Sequence, residues 1–369
     1  MKLRLSFFLF LFPVILFAAP LYSPTWGFWL DLPEGYELVD GNNVDRYSFQ
    51  GPGNVMFDIA VYNNAGQNVG QLSDTISRRL GNSGDSSVFE YNGKAAVLME
   101  LRFGNYKGWG LCIELRAASN GSIPLMAALA YGEAGAGDKD LFHISALDSL
   151  APSDNERRCP GPVTEFTWPR GEQTETAIAG TALRAMFREH DAEGAQALIE
   201  REFMLLCVYQ GAQDWKEAWV RYYRAIYRDS WDRITEATAA IEWNWNKGMS
   251  EREFAEKVLT YVQDFKYERD LSGSDFVNLV DALIDGRGDC DCRAMLWAII
   301  LMHADIPAAM MVSRDYSHAM GLADLGGNGA RFEYGGINWL VAETTAHVAI
   351  GLIGQDMSNS NNWLGILFN

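Results

Sequence analysis

The chain predicts an α+β protein, in which an antiparallel sheet with helices is followed by a helical segment and then by a long helix leading into a second antiparallel sheet. Three observations carry this. Between about residues 21 and 151, short runs alternate apolar and polar residues and are punctuated by Gly and Asn, the period-2 signal of half-buried strands. From about 174 to 265, apolar residues recur at three- and four-residue steps, the 3.6 period of helices. Beyond residue 306 alternation returns. The 48% hydrophobic and 21% charged fractions fit a folded globular chain, and 369 residues suffice for two domains.

The first element is a targeting segment. MKLRLSFFLFLFPVILFAA places Lys2 and Arg4 before an apolar stretch and then small residues, the order of a secretory signal. Residues 1–18 are therefore expected to be cleaved, leaving a periplasmic or secreted chain. An uncleaved anchor is the alternative, although the run is short for a membrane span and Pro13 interrupts it. No other stretch reads as an integral span. The formal charge is −18, and loss of Lys2 and Arg4 makes it −20 (28 basic against 48 acidic residues). A surface so acidic repels phosphate backbones, so nucleic acid is not expected as a partner.

Residues 19–151 are expected to form an N-terminal α+β sandwich domain. LDLPEGYELVD is a turn-rich opening. RYSFQ, NVMFDIAVYN, SVFEYN, KAAVLMELRF and GLCIELRAA read as strands. NVGQLSDTISRRLG reads as an amphipathic helix with Leu72, Ile76 and Leu80 at helical spacing, and DKDLFHISALDSL as a closing helix. No grouping of His, Asp and Ser suggests catalysis here, so the domain is expected to dock another protein. Residues 152–172 carry four prolines and little periodicity, the mark of a linker.

Residues 173–369 are expected to form a second domain. TAIAGTALRAMFREHDAEGAQALIEREFMLLCVYQ reads as helical throughout. Trp215, Trp219, Tyr223, Tyr227 and Trp231 then recur every fourth residue. They make either an aromatic platform for a sugar or peptide, or a bulky core stripe between helices. SEREFAEKVLTYVQDF has a Ser250/Glu253 capping box and a stripe of Phe254, Val258, Val262 and Phe265. PAAMMVS, HAMGLAD, ARFEYG and INWLVAETT form an expected antiparallel meander, and MSNSNNWLGILFN a polar turn with an apolar tail that packs back.

The five cysteines are Cys112, Cys159, Cys207, Cys290 and Cys292. In an oxidising compartment an odd count leaves a thiol over. Cys290 and Cys292 offer three readings. A metal site wants two close ligand pairs, and only one is present. A disulfide between them would close a small, strained ring, while Cys292 paired with Cys207 stays open. Third, GRGD is loop-like and CRAMLWAIILMH is a continuous apolar helix, so Cys290 sits at a helix N-terminus whose amides favour a thiolate. Asp289 and Asp291 oppose that charge. His318 opens a strand and Glu343 ends another, which supplies a base and a carboxylate to orient it. His303 lies inside the apolar helix and reads as core, and His143, His190 and His347 have no motif around them.

GRGDCDCRAMLWAIILMHADIPAAMMV resembles the nucleophile segment of the transglutaminase-like superfamily, roughly G-x-G-D-C-x-D-x-A, an apolar helix, then G-I-P-A. Gly286, Gly288, Asp289, Cys290, Ala294, Ile306, Pro307 and Ala308 match, whereas Cys292 stands where Asp is common and Asp305 where Gly is. SHA matches the family's His element at His318, WLVAETT its carboxylate element with Glu343 in place of Asp, and DFKYERD the stretch before the nucleophile loop. The resemblance covers residues 259–345. It implies a papain-like core in which Cys290 attacks an amide carbonyl of a protein or peptide, His318 is base and then acid, and Glu343 orients His318. Hydrolysis is favoured over transfer to an amine, and no metal or organic cofactor is implied. The Cys290 amide is one expected oxyanion donor, with Tyr267, Gln263 or Asn278 as a second. The N-terminal segment is weakly similar to PsbP/Mog1-type sandwiches through LPEGY and its strand order, with no function carried over. The alternative is a noncatalytic extracytoplasmic peptide-binding module on the same fold.

Overall fold

The computed structural model describes residues 20–63, 66–135, 139–269 and 273–368. The expected signal segment lies outside them. Among the described residues no helix is long and apolar enough to cross a membrane. The protein is α+β, with antiparallel sheets and helices on their faces.

Two short strands, β1 (Leu21–Tyr22) and β2 (Trp29–Leu30), pair with each other. A seven-stranded antiparallel sheet follows: β3 (Glu37–Gly41), β4 (Arg46–Gly51), β5 (Val55–Tyr62), β6 (Ser86–Tyr91), β7 (Lys94–Phe103), β8 (Tyr106–Glu114) and β9 (Leu125–Glu133), in the order β3-β4-β5-β9-β8-β7-β6. Side chains alternate between its faces. Val97, Met99 and Leu101 meet Val69, Leu72 and Ile76 of α1 (Val69–Leu80). Ala96 and Leu98 pack on the opposite side, with Ala146 and Leu147 of α2 (Asp140–Asp148) and Val163 of α3 (Pro162–Thr167). Asn68 and Gln71 close a capping box at the start of α1.

β3 and β9 depart from the expected strand list. β3 lies in the stretch read as a turn-rich opening and is exposed along its length. β9 is central and buried on both faces, so LMAALAYGE has none of the alternation that marks half-buried strands. The segment 152–172, expected as a linker, is fastened rather than loose. Lys94 pairs with Glu156 at 2.6 Å, Tyr91 donates to the Pro160 carbonyl, and the Asp148 carboxylate caps the Val163 and Thr164 amides at 2.9 and 2.8 Å.

The helix expected to run on from residue 174 is instead a hairpin of β10 (Gln173–Ala177) and β11 (Arg184–Arg188), turned through Gly180 at φ +68°. Ala185 and Phe187 point inward from β11 at period 2, a spacing that a window centred on the following helix obscures. Then come α4 (Asp191–Val208), α5 (Trp215–Arg233), α6 (Thr235–Trp245) and α7 (Glu251–Gln263). The Ser250/Glu253 box starts α7, and Phe254, Val258 and Val262 are buried. A buried ionic cluster joins these helices to α2 and to the loop before β3. Arg221 bonds Glu202 at 2.8 Å and Ser145 at 3.1 Å, Arg201 bonds Asp148, and the Tyr209 hydroxyl donates to the Glu34 carbonyl.

β12 (Lys266–Tyr267), α8 (Leu279–Asp285) and β13 (Arg287–Gly288) lead into α9 (Cys290–His303). α9 lies against β14 (Ala308–Ser313) and β15 (His318–Ala323), which belong to a sheet with β16 (Arg331–Tyr334), β17 (Ile337–Ala342) and β18 (Leu364–Ile366). Its order is β16-β17-β15-β14-β18. The expected meander is therefore rearranged, because β17 inserts between β15 and β16. The tail does pack back, with β18 pairing to β14 through Met310↔Ile366 and Trp363 covering the face formed by Met311, Met320 and Trp339.

Candidate active site

The loop before α9 is held by backbone bonds. Gly286 ends α8 at φ +65°, a left-handed cap, and its carbonyl accepts from the Lys266 amide at 2.8 Å. β12 and β13 run parallel here. Arg293, buried in the first turns of α9, donates to the carbonyls of Gly288 and Phe265. A Cβ on Gly288 would stand 2.7 Å from the Cys292 sulfur, so only glycine lets the loop close over that thiol. Asp289 is the N-cap, accepting from the Cys292 amide at 2.9 Å.

These restraints separate the two cysteines. Cys292 is fully buried beneath the loop, and Cys290 opens onto a cleft of about 330 Å³. All five cysteines are free thiols, so neither the Cys290–Cys292 nor the Cys292–Cys207 bridge forms.

His318 begins β15 and Glu343 follows β17, and the Gly321↔Ala342 pairing sets these strands side by side. Glu343 Oε2 lies 2.8 Å from His318 Nε2, and its Oε1 accepts from the amide and hydroxyl of Thr345 at 2.7 and 2.6 Å. Burial works to raise the Glu343 carboxyl, but the His318 and Thr345 bonds outweigh it and hold it below the ordinary range. His318 and Cys290 line the same cleft.

The three candidate oxyanion donors separate as well. Tyr267 is at the thiol; burial, then the Cys290 and Asp289 charges, push its hydroxyl up to about 12, and Arg293 lies over its ring at 5.5 Å. Gln263 is not available, because its amide donates to the carbonyls of Glu343 at 2.8 Å and Val348 at 2.9 Å. It braces the strand end that carries Glu343. Asn278 is spent as the cap of α8, accepting from the Asp281 amide while its amide group reaches Gln196 and Asp281.

The thiolate favoured by the helix terminus meets strong opposition. Burial, then Asp291 and Asp289, push the Cys290 thiol well above its usual value. Asp291 Oδ1 is 3.2 Å from the sulfur, and its other oxygen accepts the Tyr223 hydroxyl. Burial raises Asp291, and burial together with the Asp291 charge raises Asp289. Asp289, Cys290 and Asp291 bring a ligand atom each within 4.8 Å of one another. With Asp291 bonded to Tyr223 and the thiol, and Asp289 to the Cys292 amide, the set is a hydrogen-bonded cluster.

The aromatic ladder divides between the two roles foreseen for it. Trp215, Trp219 and Tyr223 follow one another at 5.8 and 6.3 Å between ring centres, and Trp219 and Tyr223 line the cleft. Tyr227 stacks on Phe368 and Trp231 on His303, at 4.5 and 3.9 Å, within the core. Sequence reasoning missed Tyr223 as a partner of Asp291. The E-T-T run at residues 343–345 held a readable signal for Thr345, since a hydroxyl two residues after a carboxylate is placed to bond it.

Comparison with known proteins gives little. No family model matches the chain, and no curated protein matches it. A solved chain from Bacteroides thetaiotaomicron VPI-5482 is similar at 12% identity and a TM-score of 0.22, over 63% of this chain and 80% of that one. A candidate cysteine protease from Cytophaga hutchinsonii is similar at 10% identity and a TM-score of 0.24, over 85% of this chain and 80% of that one. At such TM-scores neither likeness bears on fold or function.

Proposed function

We propose that this chain is a thiol enzyme of the transglutaminase-like type that cleaves amide bonds in a protein or peptide. The observation that carries the reading is the 2.8 Å His318–Glu343 pair in the cleft onto which Cys290 opens. Glu343 occupies Nε2, which leaves Nδ1 to take the Cys290 proton as the sulfur attacks the carbonyl carbon. The electron pair moves to the carbonyl oxygen, where the Cys290 amide and Tyr267 hydroxyl are the donors in this reading. The imidazolium then protonates the departing amine, and Glu343 holds its charge and orientation. Water, deprotonated by His318, resolves the thioester. Trp219, half-buried at the cleft, offers the substrate an aromatic surface. In this reading residues 1–18 direct export and the N-terminal domain, residues 19–151, docks the protein that carries the substrate.

The test is iodoacetamide labelling of each cysteine, read by mass spectrometry, in wild type and His318→Ala. Loss of the base should slow Cys290 by about tenfold or more and leave Cys292 unchanged. Equal Cys290 rates would refute the reading. A noncatalytic peptide-binding cleft, the second reading, is favoured by the carboxylates that raise the thiol, and it expects those equal rates.

A further inference from the structure

The Cys290 sulfur carries one proton, and two acceptors compete for it. One is His318. The other is Asp291, whose Oδ1 is 3.2 Å from the sulfur. Asp291 sits in the first turn of α9, where an acidic side chain ordinarily turns to water and serves the helix dipole. Here it is fixed at both ends, by the thiol and by the hydroxyl of Tyr223. Tyr223 is itself immobile, 1% exposed and packed edge-on against Tyr222 at 5.0 Å. The charged and titratable groups around Asp291 and Cys290 are Asp289 on their own turn, Arg293 one turn on, Tyr267 on β12, Asp275 before α8, His318 on β15, Tyr222 and Tyr223 on α5 and Arg314 at the cleft, with Arg269 paired to Asp275.

The geometry points to Asp291 as a positioning residue that brakes the nucleophile: its carboxylate accepts a hydrogen bond from the Cys290 thiol, which leaves the proton on sulfur and the sulfur neutral until that bond is broken in favour of His318. This rests on the thiol-enzyme reading for its purpose, but not for its measurement. The proton moves from sulfur to His318 Nδ1, and no other reactant enters. An anion against the sulfur disfavours the thiolate, so removing it must acidify the thiol. Burial pushes the thiol in the same direction as Asp291 does, which leaves the carboxylate as the part that substitution can isolate.

The experiment is the pH profile of Cys290 alkylation by iodoacetamide in the full chain, for wild type, Asp291→Asn, Asp291→Ser and Asp275→Asn, each required to keep the wild-type circular dichroism. Asp291→Asn should lower the labelling midpoint by about one pH unit or more and speed neutral-pH labelling about tenfold. Asp291→Ser should do the same if the amide does not fold. Asp275→Asn removes a cleft charge that does not touch the sulfur, and should change the rate less than about threefold. An unmoved or raised midpoint in the Asp291 variants overturns the proposal, as does an equal effect from Asp275→Asn. Adding His318→Ala separates the two readings. If it leaves Cys290 labelling unchanged while Asp291→Asn accelerates it, the enzyme reading fails and the brake stands; the reverse pattern removes the brake alone.

Discussion

Gly321→Ala tests how tightly packing sets the strand that carries His318. A Cβ at this position would stand 2.7 Å from Trp297 Cζ3 and closer still to Cε3. Trp297 is fully buried, and its indole N–H donates to the Ala255 carbonyl at 3.0 Å, so the ring has no free direction of retreat. Overpacking of this kind costs about 1–3 kcal/mol, and the depth of this overlap points to the upper end, about 3 kcal/mol. Urea unfolding should show a lower midpoint at unchanged slope. Trp297→Leu alone should cost about 3 kcal/mol through the cavity it leaves. In the double variant each change relieves the other, so the costs should fall short of their sum by about 1–2 kcal/mol. A Gly321→Ala variant within about 0.5 kcal/mol of wild type, or a strictly additive double variant, would refute the reasoning. Because Gly321 pairs with Ala342 next to Glu343, the same change should also weaken the dependence of Cys290 labelling on His318.

Glu343→Gln should lower stability at neutral pH by about 1–3 kcal/mol. The wild-type carboxyl is depressed, so its contribution holds above its unfolded value near ~4.3 and fades as pH falls through the folded one; urea midpoints should converge in acid, and a constant gap would contradict this. Burial pushes Glu34 up to about 7, so its favourable contribution is full below about 4.3 and lost as pH rises through about 7. Glu34→Gln should therefore gain on wild type by up to about 3 kcal/mol between acid and pH ~8, and a gap independent of pH would show that Arg221 compensates the charge fully. Asp148→Ala strips the caps from Val163 and Thr164 and leaves the buried Arg201 with Glu202 as its remaining carboxylate partner; chemical denaturation should report a loss of about 3 kcal/mol, and a loss under about 1 kcal/mol would mean that the strap carries no weight.

Much of the fold legible in the sequence has one face that meets water, while α9 and β14, buried all round, were legible from the length of one apolar run and the β-branched and turn residues around the other. β4, β5 and α1 alternate or step as they should, and the Asn68 and Ser250 caps stand where helices begin. β9 was illegible because both its faces are covered, and β10 and β11 because a short hairpin has too few residues to outvote the helix after it. At the site, Cys290, His318 and Glu343 were placed by residue type and by the strands that open or close on them. Gln263 and Asn278 were misplaced for a common reason: an amide near a motif says nothing about which carbonyls compete for it, and here Glu343, Val348 and Gln196 do. The four-residue spacing marks Tyr223 as one of a row of rings, while its hydroxyl, invisible to periodicity, reaches Asp291.

β18 bears on the order in which the second sheet can be built. β14 leaves the long helix at Ala308, yet its outer neighbour is supplied only by Leu364–Ile366, after β15, β16 and β17 have been made. Until then the outer edge of an apolar strand stands open to any other extended chain. A chain emerging slowly from a ribosome or a translocation pore would thus carry its candidate nucleophile, base and carboxylate outside while one side of the sheet still lacked its last strand. Sequence-distant closure of this kind slows folding and lengthens the exposure of such edges. A chaperone that covers extended apolar segments would therefore act on the interval between Ser313 and Leu364, and a stall within that stretch would yield a chain prone to pair with its own copies.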